Sequence, residues 1–122
     1  MRQLTIKDIR DLNPCYDPIR FLSGDWTGTV LDILNIKECE IADRLWVGLR
    51  LVDEDVIEKF VDGCGIRDYD YYTASTAYAA STVAAYTAFN AASDAWGAPL
   101  AAYNKVRQKQ LNVLINLLGD LK

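Results

Sequence analysis

The chain contains no histidine, and its three cysteines, Cys15, Cys39 and Cys64, stand far apart with no Cys-x-x-Cys pair. Without histidine the commonest general base is missing, and so is every Ser–His or Cys–His nucleophile arrangement. A structural zinc site would need Cys and His in short, regular spacings, and none exists here. A phosphate-cradling loop is also absent: Gly24-Asp25-Trp26-Thr27-Gly28 lacks the Lys-Ser/Thr that must follow. Nor is there a calcium loop, because Ile57 and Lys59 fill the ligand positions after Asp53 and Asp55. No apolar signal core follows Met-Arg-Gln-Leu-Thr-Ile-Lys-Asp. With unpaired thiols, this points to a reducing cytoplasmic setting, the host's cytoplasm if the protein is viral. Basic charge is scarce too, at a net −4, which argues against free nucleic acid as a partner. The expectation is a protein that is not an enzyme and carries no cofactor or metal.

Between Asp70 and Asp94 charge itself is missing. On a helical period this Ala-, Ser-, Thr- and Tyr-rich stretch sorts into stripes. One holds small residues only: Ala74, Ala77, Ser81, Ala84, Ala88, Ala91 and Ala95. Such a seam lets a neighbouring backbone come closer than the common ~8–10 Å helix spacing. Beside it runs an aromatic stripe of Tyr71, Tyr78, Phe89 and Trp96, expected to supply buried area. The opposite face carries Tyr72, Thr76, Val83, Tyr86, Thr87 and Asn90. The spacing predicts a helix from Tyr69 to Trp96, about 28 residues and about 42 Å long. The many hydroxyl groups argue against a membrane span.

The remainder is charged but unevenly so. Residues 1–68 carry nine Lys/Arg against fourteen Asp/Glu. Short helices are expected there: Thr5 to Leu12 behind a Thr5 cap, a turn from Pro18 after Asp17, and a helix through Val30–Leu34 started by Asp25 or Thr27, with extended structure at Thr29, Val30 and Ile33 as the alternative. Another follows Ile41, Leu45, Leu49 and Val52, with Arg44 and Arg50 off that stripe. Asp53 begins the next, ending at Gly63 or Gly65. Asp68 is the expected cap of the long helix. Gly97-Ala98-Pro99 then punctuates it, and a last helix with Leu100, Tyr103, Val106, Leu111, Val113, Leu114, Leu117 and Leu118 in a broad apolar stripe should fold back antiparallel. Lys105, Arg107 and Lys109 are expected to decorate its other side, and a single helix kinked at Pro99 is the rival geometry. The fold class is therefore all-α: four or five short N-terminal helices (1–68) packed on a long antiparallel C-terminal helical hairpin (69–118), in one domain.

Two surface features invite partners. Glu54, Glu58 and Asp62 recur every four residues along one helix edge, where like charges repel mildly. That edge is either a solvated face or a docking edge for a basic surface. Tyr72 and Tyr86, opposite the small-residue seam, are the other candidate contacts, since tyrosine is favoured at binding hot spots.

The front half resembles a group of small phage, prophage and bacterial proteins, some described as putative immunity proteins. The residues carrying the likeness are Asp11-Leu12-Asn13-Pro14-Cys15-Tyr16-Asp17-Pro18, Asp25 to Leu34, and Ala42-Asp43-Arg44-Leu45-Trp46-Val47. Members tend to continue into Ala-rich helices, as here, although Tyr/Ala/Thr replaces their Arg/Ala pattern. The resemblance implies an accessory protein that acts by binding, and it brings no catalytic residue. The leading expectation is thus a non-enzymatic protein-binding protein of phage type that inhibits or modulates a host or defence protein, self-associating through the long helix, with neither membrane nor free nucleic acid as partner. An immunity- or antitoxin-type protein neutralising one toxin is the alternative. A third is a ligand-binding or catalytic domain with a pocket among Tyr71, Tyr78 and Trp46.

Overall fold

The computed structural model describes residues 2–65 and 77–119. It is mainly helical, with a two-stranded antiparallel pair as the one departure from an all-α chain among the described residues. In that pair β1 (Leu4–Thr5) lies against β2 (Thr27–Gly28), Leu4 opposite Gly28 and Thr5 opposite Thr27. Thr27 therefore does not start a helix. Its backbone is taken by the ladder, a long-range pairing that no local spacing announces.

A capped helix follows each strand. Helix α1 (Ile6–Arg10) starts at Thr5, whose N–H donates to Asp8 Oδ2 at 2.8 Å while Asp8 N–H donates back to Thr5 Oγ1 at 3.4 Å. Helix α2 (Val30–Leu34) starts at Thr29, whose N–H donates to Asp32 Oδ2 at 2.8 Å. Between them Asp17 caps a single 3-10 turn, Pro18–Arg20. These short helices cannot hold themselves, being below the ~12–15 residues at which isolated helices become marginal. They are held by what they bury: Ile9, Ile33 and Leu34 are fully inaccessible.

Helix α3 (Ile41–Arg50) buries Leu45, Val47, Gly48 and Leu49. At Gly48 a methyl group would sit 2.7 Å from Leu34 Cδ2, so the missing side chain is what lets α2 lie against α3. Helix α4 (Glu54–Gly63) buries Val56, Ile57, Phe60 and Val61. Its terminator is Gly65, at φ +72° in the left-handed region that glycine tolerates best, and Gly63 still belongs to the helix.

Helix α5 (Ala77–Asp94) packs on α6 (Pro99–Gly119), and both reach the front of the chain through α3 and α4. Ala84 meets Gln110, and Phe89 meets Tyr103 with ring centroids 5.2 Å apart. The link turns at Gly97, φ +88°, so α5 and α6 are separate helices and the single kinked helix does not occur. The core joins both parts: Leu4, Ile9, Phe60 and Leu114 belong to one cluster with Ala80 and Ala84. No helix among the described residues is long and apolar enough to cross a membrane. The expected start of the long helix, with Asp68, Tyr69, Tyr71, Tyr72 and Ala74, lies outside the described residues.

Candidate binding surface on α3, α5 and α6

Alanine has the smallest side chain that still favours a helix, so an alanine face buries by proximity rather than by bulk. Ala84 and Ala88 are buried completely against their neighbours, while Ala77, Ser81, Ala91 and Ala95 are half-buried. With its small face turned inward, α5 turns its aromatic residues outward, whereas Val83, expected on the opposite face, is buried at the edge of the small one. Tyr78 is 74% exposed, Tyr86 54%, Phe89 57% and, just past the helix, Trp96 99%. This corrects the expectation that the aromatic stripe supplies buried area. The rings sit next to the seam, but the neighbouring helices close over the alanines and stop short of them. Leu100, expected on the inner side of α6, is likewise 70% exposed.

Tyr78, Tyr86 and Phe89 line one side of an open groove of about 380 Å³, with Trp46 and Arg50 of α3 on the other. Tyr78 and Trp46 thus meet in one place, while Tyr71 lies outside the described residues. The groove floor is stapled by Arg50. Its guanidinium stacks 3.7 Å from the Trp46 ring centroid and donates to Trp46 O at 2.8 Å and Ser81 Oγ at 3.2 Å. Arg44 is tied down similarly, donating to Leu34 O at 3.0 Å near the C-terminus of α2. Both arginines lie off the apolar stripe of α3, as expected, and both serve as tertiary ties.

The hydroxyls of α5 fold back on their own helix. Thr82 donates to Tyr78 O, Thr87 to Val83 O and Ser93 to Phe89 O, at 2.9, 2.9 and 3.1 Å.

Helix α6 holds the feature that sequence reasoning missed. Arg107, expected on its outer side, is buried at 6% exposure, and Gln110 beside it at 2%. Arg107 Nη1 donates to Gln110 Oε1 at 3.0 Å, and Gln110 Nε2 donates to Ala84 O at 2.9 Å. The signal was present in outline, since positions 103, 107, 110, 111, 114 and 118 share the inner face at helical spacing. A charged residue among them breaks the apolar pattern that would mark that face.

The acidic residues are scattered by comparison. Glu54 and Asp62 are exposed on α4 and Glu58 is half-buried. Among the described residues no three Cys, Asp or Glu side chains cluster as they would around a metal ion. Cys15 is exposed, Cys39 is buried, and burial pushes the Cys64 thiol up to about 12. Cys39 is raised by burial as well, and the Tyr16 hydroxyl beside it is raised by burial first and by that thiol second. Asp43 is held above the usual carboxylate range by burial, with Glu40 adding to it. Set against family models, curated proteins and solved structures, the chain has no match in any of the three.

Proposed function

We propose that the chain is a non-enzymatic protein-binding protein, and that the aromatic face of α5 joins it to a second copy of itself. In this reading residues 69–118 form the long antiparallel hairpin, with the short helices of residues 1–68 packed on it, and the protein works in the cytoplasm. The outward rings of Tyr78, Tyr86, Phe89 and Trp96 carry the reading. They expose roughly 400–700 Å² of aromatic surface at about 150–250 Å² per ring. A standard interface takes about 800 Å² from each partner. The choice of a second copy rests on charge. A two-fold interface sets the patch against its own copy, so a patch carrying charge of one sign would repel itself. From Ala77 to Ser93 the helix has none.

The paired protein then occupies the surface of a host or defence protein, as the phage-type resemblance implies. The acidic edge of Glu54, Glu58 and Asp62 suits a basic surface on that partner. Light scattering after size exclusion tests the pairing: a mass near twice 13.7 kDa is expected, returning to one chain in Tyr78→Glu and Phe89→Glu. A single-chain mass for the unaltered protein at micromolar concentration would sink the self-association.

A further inference from the structure

Inward of the aromatic groove lies a second cavity of about 250 Å³, between α3, α5, α6 and the Pro14–Tyr16 loop. Its walls are mostly apolar or aromatic, with Leu45, Trp46, Phe89 and Tyr103 among them, and Arg107 lines it. Arg44 shares an unpartnered buried Nε with that arginine, but Arg107 is the more deeply buried of the two. It is nine-tenths buried, and its one hydrogen bond among the described residues goes to a glutamine already anchored on the α5 backbone. Its Nε is wholly buried with no acceptor. Among the described residues no carboxylate pairs with it, and the nearest aromatic ring, Tyr103, lies 5.9 Å from the guanidinium carbon. A guanidinium cannot shed its proton to escape burial. A buried cation with no carboxylate beside it among the described residues is strongly unfavourable, and with Nε enclosed, the N–H groups it still has for an anion are those of its Nη atoms.

We infer that this cavity binds a small aromatic monocarboxylate, its carboxylate on Arg107 and its ring among Trp46, Phe89 and Tyr103. Three observations select that class. One guanidinium balances one negative charge, and Asp43, which lines the same cavity, opposes a second. A doubly charged phosphate is therefore disfavoured. The volume equals roughly eight waters at about 30 Å³ each, enough for a one-ring acid. The mostly apolar lining with a few placed polar groups is the ordinary make-up of a small-molecule site. The inference does not rest on self-association, because Arg107 and Tyr103 belong to α6.

The full chain is titrated with phenylacetate, 3-phenylpropionate and benzoate, and in parallel with neutral phenylacetamide and with inorganic phosphate. Calorimetry gives affinity, and the indole N–H resonances give location, with Trp26 and Trp96 as internal controls for Trp46. At least one acid is expected to bind tenfold or more tightly than the amide while moving Trp46 alone. Arg107→Met, checked for folding by circular dichroism, should lose that tenfold preference, and Arg107→Lys should keep part of it. Equal binding of acid and amide, binding of phosphate alone, or no movement of Trp46 with any acid at millimolar concentration would overturn the assignment. Should Arg107→Met fail to fold, the comparison of acid with amide on the unaltered chain still decides.

Discussion

In residues 2–65 the α-helices run five to ten residues and bury branched or aromatic side chains, whereas α5 and α6 run 18 and 21 residues and meet over alanines and a buried polar pair. The front therefore exposes few large apolar groups. Among the described residues Ile19 stands exposed there, against Tyr78, Tyr86, Phe89, Trp96 and Leu100 behind. The difference follows from side-chain size. Large residues that fill a core leave their helices polar outside, while a helix that gives alanines to its neighbours still has its rings to place. Apolar burial stabilises by about 25 cal/mol per Å², so a methyl face contributes little per residue, and the surplus on α5 lies outside the monomer.

The sharpest test of this contrast removes a ring from each region. Phe60→Ala empties a fully buried site on α4 and should cost about 3–5 kcal/mol in denaturant unfolding. Tyr86→Ala at concentrations that favour the single chain should stay within about 0.5 kcal/mol. Comparable losses at both would erase the distinction.

The seam gives the next largest effect. Ala84→Leu or Ala88→Leu should cost about 1–3 kcal/mol by overpacking, and Thr87→Leu, which is only half-buried, much less. Equal tolerance at all three would mean that the alanines hold no close neighbour. A similar loss, about 1–3 kcal/mol, is expected for Gln110→Leu, which strands the one hydrogen bond of Arg107. Added to Arg107→Met, the same change should be nearly harmless, so a double-mutant cycle should show a coupling above ~0.5 kcal/mol.

Smaller effects belong to the front caps. Thr5→Ala should cost about 1 kcal/mol, read as a shift in unfolding midpoint. Its acid dependence has a definite sign. Asp8 is held below the usual carboxylate range chiefly by the Thr5 N–H, and Asp17 by the Ile19 N–H. Their stabilisation is complete above the unfolded value of about 3.9 and fades as pH falls through the lower folded values. Asp43, raised by burial, acts in the opposite sense: its contribution is fullest below that unfolded value and is lost as pH rises through its folded one. Asp8→Asn should flatten the first dependence and leave the second.

How far these features could be read from sequence varies with how local their causes are. Thr5 before Ile6, Asp17 before Pro18, and Pro99 after Gly97 are each settled within one turn, and the structure has those starts in place. The inward stripe of α4 follows from spacing alone. The pairing of Leu4 with Gly28 depends on residues more than twenty positions apart, and nothing near Thr27 records it. Arg107 failed for a different reason. Its letter argues for water, and the contacts that enclose it, Gln110 anchored on Ala84 among them, come from α5 as well as from its own helix. The outward turn of the rings depends on where α6 and α3 end, which no helical wheel contains.

The folded-back hydroxyls of α5 carry one last consequence. Thr82, Thr87 and Ser93 count as water-loving in any tally of letters, yet their protons already point at carbonyls one turn away. Covering this helix would strand none of those donors. A surface that looks wettable on paper can therefore be dehydrated at small cost, and what an approaching molecule meets is mostly methyl and ring.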